Sequence, residues 1–126
     1  MDQGCMTEIC MYGSDTYNED FCRYSLYKVA LGLFTMHKNN VLHRDIKSDN
    51  ILFSANGEIK VTDLGFACEL DEKENRRKTK AGTPNWVAPE IAKGVLYDKS
   101  VDVWSYGCFA YELATGFPPF AGISDN

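Results

Sequence analysis

Residues 41–66, VLHRDIKSDNILFSANGEIKVTDLGF, set charge and amide groups inside an apolar frame. Val41-Leu42 and Ile51-Leu52-Phe53 enclose His43, Arg44, Asp45, Lys47, Asp49 and Asn50, and Asp63 ends a third apolar run. A buried strand does not tolerate that much unpaired charge, and an ordinary surface loop favours Gly, Pro and Ser. Phosphoryl transfer from a nucleotide asks for these side-chain types. It needs a carboxylate to orient the attacking hydroxyl, a cation against the transferred phosphate, and hard oxygen ligands for magnesium. Asp45 suits the first task and Lys47 the second, while Asn50 and Asp63 offer the oxygens from two backbone segments.

Such groups need rigid elements to hold them. In residues 18–40, Cys22, Leu26, Val29, Leu33 and Met36 recur at spacings of four, three, four and three. With Asn18 as N-cap, Glu19 and Asp20 in the first turn and Asn39-Asn40 as a stop, the spacing predicts an amphipathic helix. ILF and IKVTD flank SANGE, whose Asn56-Gly57 predicts a short hairpin over 51–62. Residues 64–86 lack a sustained period and hold the basic cluster Arg76, Arg77, Lys78 and Lys80, which reads as a long mobile loop. Pro89 opens a short helix, PEIAK, closed by Gly94. The segment 101–114 is apolar nearly all round, with Asp102 and Glu112 its only charges, and is expected to be buried on every face. Gly116, Pro118 and Pro119 end it.

The 126 residues suit one domain, and apolar and charged fractions of 44% and 25% are globular. No apolar run approaches the roughly 18 residues of a membrane span. No basic n-region precedes an apolar core at Met1, so the expected address is the cytoplasm, with the nucleus as the alternative. Five cysteines, odd in number and without a Cys-x-x-Cys pair, read as reduced structural thiols. A net charge of -5 argues against general nucleic-acid binding.

HRDIKSDN resembles the protein-kinase catalytic-loop pattern H-R-D-L-x-x-x-N, DLG at 63–65 is similar to D-F-G, and APE at 88–90 matches in full. They stand in the kinase order, with a 28-residue activation segment over 63–90. Lys47 and the Thr83 of GTPNWVAPE are similar to serine/threonine kinases, and VLHRDIKSDNIL with GEIKVTDLGF most resembles the sterile-twenty-like group. The resemblance implies transfer of the γ-phosphoryl of ATP, with Mg2+, to Ser or Thr of protein substrates. It implies Asp45 as the catalytic aspartate, Lys47 on the phosphate, Asn50 and Asp63 as magnesium ligands and Leu52 beneath adenine. His43 and Leu64 would join a column of side chains anchored by Asp102, and Arg44 would hold a phosphorylated activation loop. Thr83 would touch the catalytic Asp and Lys. Thr79 would be the regulatory site, modified by an upstream kinase or by the enzyme itself. Asp102 also fits a simple helix cap, and the basic cluster also fits a solvated loop.

The departures are as specific. Leu64 replaces the phenylalanine of D-F-G, and Asn85 stands where the group commonly has an aromatic residue. No G-x-G-x-x-G is present, and no strand lysine precedes the catalytic loop. MDQGCMT looks like the segment after the interlobe hinge. The expected fold is therefore mainly α with a small β-hairpin, an incomplete large lobe over residues 1–126. The arginine expected to pair with Glu90 would belong to helices beyond the chain. The rival reading is a catalytically silent kinase fragment, acting as an interaction or decoy module or an incomplete gene product.

Overall fold

Asn18 begins the longest helix. Its side-chain oxygen accepts the N–H of Phe21 at 2.8 Å, and α2 runs Glu19–Lys38 before Asn39 caps it and Asn40 turns the chain at φ 57°. The computed structural model describes residues 3–12, 18–71 and 73–122. Met1 and Asp2, the start of the expected post-hinge segment, lie outside the described residues. The stripe on α2 buries Val29 and Leu33, with Cys22 and Leu26 partly covered, against Met6, Ile46, Ile51, Ile59, Phe109 and Leu113. Each fully buried aliphatic or aromatic side chain contributes about 1.5–3 kcal/mol, so this cluster fixes where 46 and 51 sit on either side of the charged stretch.

The expected hairpin forms as β3 (Ile51–Ser54) and β4 (Ile59–Val61), turned by Gly57 at φ 77°. Beyond the expected hairpin, β1 (Gln3–Cys5) adds antiparallel to β3, giving the order β1-β3-β4, and α1 (Met6–Tyr12) follows it. Three-residue and seven-residue segments carry too little periodicity to be seen. A second sheet pairs β2 (Val41–Leu42) with β5 (Cys68–Glu69). The described residues are thus helical with two small sheets, where a single hairpin was expected.

That second sheet corrects the reading of 64–86 as one mobile loop. A 3-10 turn at Leu64–Phe66, the β5 pairing and an antiparallel bridge between Arg77 and Tyr97 tie the segment down in three places. Two-residue strands are set by their partners rather than by local pattern. PEIAK forms α3 (Pro89–Lys93), ended by Gly94 at φ 69°, and α4 spans Ser100–Thr115, ended by Gly116 at φ 85°. Burial of α4 on every face is not observed: Val103 is 60%, Trp104 40% and Tyr111 50% exposed. Only the side carrying Val101, Asp102, Ser105, Cys108, Phe109, Glu112 and Leu113 is covered. Among the described residues no helix is long and apolar enough to cross a membrane.

Candidate active site

Asp102 faces away from its own helix. The first turn of α4 is served by Asp98, whose carboxylate accepts the N–H of Ser100 at 2.9 Å and is held below the usual carboxylate range by that bond. Asp102, fully buried, instead accepts the N–H of Arg44 on Oδ1 at 2.7 Å and the N–H of His43 on Oδ2 at 2.9 Å. His37 on α2 donates from Nε2 to the same Oδ2 at 2.8 Å. The helix-cap alternative therefore gives way to an anchor joining α2, α4 and the charged stretch. Arg44 needs one, since it lies at φ 66°, a conformation that costs a non-glycine residue about 1–3 kcal/mol and persists only where its surroundings hold it.

His43 extends the scaffold. Its Nε2–H donates to the carbonyl of Thr62 at 2.9 Å, leaving Nδ1 to accept the N–H of Asp45 at 3.2 Å. The ring thus fixes the backbone beneath Asp45 to the end of β4. Thr62 in turn donates its N–H and hydroxyl to the carbonyl of Asn50 at 2.9 and 3.1 Å. Asp63 follows directly, at φ 58°, exposed, with Oδ1 accepting the N–H of Gly65 at 3.1 Å.

Asp45, Lys47, Asn50 and Thr83 form one connected group. Asp45 is 3% exposed. Its Oδ2 accepts from Asn50 Nδ2 at 2.9 Å, and its Oδ1 accepts from the Thr83 hydroxyl at 2.5 Å. Lys47 Nζ donates to Thr83 Oγ1 at 3.0 Å and stands 3.7 Å from Asp45 Oδ2. Asn50 Nδ2 also donates to the Asp45 carbonyl at 2.8 Å, so the amide nitrogen is spent on Asp45 and Oδ1 is the atom left to accept or ligate. An exposed carboxylate on Asp63 and an amide oxygen on Asn50 are hard donors of the kind Mg2+ takes.

Other expected residues fall outside this group. Leu52 is half-buried on β3, in register with Cys5 and Lys60. Leu64 is 62% exposed and lines an apolar groove of about 610 Å3 with Met36, Val41, Ile59 and Val61. Arg44 donates from Nε to the Phe66 carbonyl at 2.6 Å and from Nη1 to the Tyr97 hydroxyl at 2.9 Å, and that hydroxyl donates to the Thr79 carbonyl at 2.6 Å. Arg77 of the basic cluster turns back onto the Glu69 carbonyl, while Arg76, Lys78 and Lys80 are exposed. Glu90 has a buried Oε2 without a hydrogen-bond partner among the described residues.

Glu112 was noted in the sequence only as a charge on an apolar helix. It is 4% exposed and receives the Ser48 hydroxyl, the Ser48 N–H at 3.2 Å and the Trp86 indole N–H at 2.9 Å. Burial pushes its carboxyl up, against those three bonds. Ser48 also shares a hydrogen bond with Thr7 of α1 at 2.8 Å, and Thr7 donates to Asp49. An acid besides Asp102 in a fourteen-residue run that is otherwise nearly apolar was the available signal.

A model described as the protein kinase domain matches residues 1–126. The chain belongs to the protein kinase domain family. It is 46% identical over 121 residues to the serine/threonine-protein kinase pakA of Dictyostelium discoideum, covering 95% of this chain and 10% of that protein. Against the serine/threonine-protein kinase CLA4 of Candida albicans the identity is 42% over 120 residues, covering 95% and 12%. Against the serine/threonine-protein kinase SKM1 of Saccharomyces cerevisiae it is 43% over 128 residues, covering 95% and 20%. The resemblance to sterile-twenty-like serine/threonine kinases is thus matched by the relatives, of whose length this kinase chain spans a tenth to a fifth.

Proposed function

We propose that this chain carries the catalytic loop and activation segment of an ATP-dependent serine/threonine kinase, within the large lobe, acting on Ser or Thr of protein substrates. The observation that carries the reading is the Asp45, Lys47, Asn50 and Thr83 group, braced by the anchor of Asp102 and by the ring of His43. Asp45 orients the substrate hydroxyl and accepts its proton. Lys47 sets its charge where the transferred phosphate gathers negative charge, and Thr83 keeps the two side chains in one geometry. Asn50 Oδ1 and Asp63 are the residues that would hold Mg2+, which supplies charge neutralisation between the phosphates when bound. Leu52 offers an apolar surface for adenine. Arg44 and Thr79 form the regulatory pair.

Asp45→Asn tests this reading in the full-length protein. A γ-phosphoryl transfer assay on a serine or threonine peptide with Mg-ATP should fall by about 100- to 10,000-fold, the range for loss of a positioned base. Unchanged transfer would falsify it.

A second reading, a silent module, has its own support. The 126 residues contain no glycine-rich loop, and the groove along α2 and β4 stands open. Positioning supplies most of this catalysis, so these residues alone should not phosphorylate peptides. Robust transfer by the isolated chain, lost in Asp45→Asn, contradicts that.

A further inference from the structure

Tyr97 lies in the connection between α3 and α4, outside the groups assigned above. Its ring is 3% exposed and packs with Leu42, Leu70, Ile91 and Val101. Its backbone exchanges two hydrogen bonds with Arg77, at 2.9 and 2.8 Å. The hydroxyl takes the Nη1–H of Arg44 and gives its own hydrogen to the carbonyl of Thr79. A phenylalanine would fill the same volume, so packing does not account for the hydroxyl. Without it, the Arg44 Nη1–H and the Thr79 carbonyl would both lose a partner in a part-buried site.

Arg44 has the same grip on the other end of the segment, through Nε to the Phe66 carbonyl. The guanidinium, its backbone already fixed by Asp102, therefore holds the chain at 66 directly and at 79 through one phenol. We infer that Tyr97 is a positioning residue that couples the backbone at Thr79 to Arg44, closing the 66–79 loop on the catalytic stretch before any modification of Thr79. A cation donating to the hydroxyl polarises it and strengthens its own donation onward, so the two bonds reinforce each other. The coupling rests on geometry, and only its consequence for catalysis depends on the kinase reading.

Limited trypsin digestion of the full chain tests it, because Lys78 and Lys80 flank Thr79 and are exposed. Tyr97→Phe should speed cleavage after both by about five-fold, the loss of roughly one net hydrogen bond, with cleavage after Lys38 and Lys60 unchanged. Arg44→Ala should speed the same two sites, and the double variant should be no faster than the faster single one. Thr79→Ala keeps the carbonyl and should keep the protection, which separates this coupling from a role of Thr79 as phosphate acceptor. Equal rates in Tyr97→Phe and the parent overturn the inference. A rise at Lys38 and Lys60 as large as at Lys78 and Lys80 overturns it too, since the ring would then act through global stability.

Discussion

Thr83 donates its hydroxyl hydrogen to Oδ1 of Asp45 across 38 positions of sequence. The hydroxyl oxygen of Thr83 in turn accepts from Lys47 Nζ, so one hydroxyl sets the spacing of the acid and the base. Remove it and the ammonium and carboxylate, 3.7 Å apart, are free to collapse into a direct pair. Hydrogen bonds to charged groups contribute about 1.5–3 kcal/mol each, so Thr83→Ala should lower kcat/KM of the full-length enzyme by roughly 10- to 100-fold. Thr83→Ser, which keeps the hydroxyl, should recover most of that. Steady-state kinetics with a peptide substrate decide it, and a fully active alanine variant rules the bridge out.

Glu112 predicts a pH dependence of stability with a definite sign. Its folded-state carboxyl is raised above the ordinary glutamate value, first by burial, so the native state holds a proton that the unfolded chain has released. The contribution is fully present below the unfolded value, roughly pH 4.3, and is lost as pH rises through the folded value. Glu112→Gln removes the titration, keeps one acceptor for Trp86 and lets the Ser48 hydroxyl turn toward Thr7. Urea unfolding from the ordinary value upward should show the parent losing stability with pH faster than the variant. Parallel curves would mean that Glu112 titrates normally.

What the sequence disclosed follows the range of the forces involved. Asn18, Gly94 and Gly116 act within one turn, so both ends of α2 and the stops of α3 and α4 were legible. The acid, base and amide of residues 45–50 stood out because the chemistry proposed for them asks for those side-chain types close together. Asp102 and Glu112 were visible as charges, but what they bind lies about 60 residues away. Ser48, Trp86 and Tyr97 showed no signal, since a serine, a tryptophan and a tyrosine have ordinary uses everywhere. The two-residue strands exist only through each other.

Glu90 carries a buried carboxylate oxygen with no partner among the described residues. An unsatisfied buried acceptor costs about 1–3 kcal/mol, and more for a charged one. Glu90→Met fills similar volume without the oxygen and should raise the melting free energy of the 126-residue chain by about that amount. In a longer protein that offers Glu90 an arginine, the same change should destabilise by roughly 3–5 kcal/mol. Thermal unfolding of both pairs measures the contrast. A destabilised short variant would show that the oxygen is satisfied by water.

Thr79 is expected to be the activation switch of the full-length enzyme. Its carbonyl already meets the Tyr97 hydroxyl at 2.6 Å, which brings residue 79 to the phenol that Arg44 also holds. Arg44 uses Nε and Nη1 on Phe66 and Tyr97, leaving Nη2 as a donor for a new acceptor. Exposed Arg76, Lys78 and Lys80 crowd positive charge around an unmodified threonine. Phosphate reverses that balance, adding about -1.5 to -2 charges and three strong acceptors. One charge-assisted bond of about 1.5–3 kcal/mol shifts a two-state segment by roughly ten- to a hundred-fold. Thr79→Ala should therefore lower activity by that factor, and Arg44→Ala should make phosphorylation of Thr79 without effect on the rate. The decisive comparison is with the neighbouring threonine: if Thr79→Ala keeps the full rate while Thr83→Ala abolishes it, the switch is not Thr79, and the basic cluster is a solvated loop.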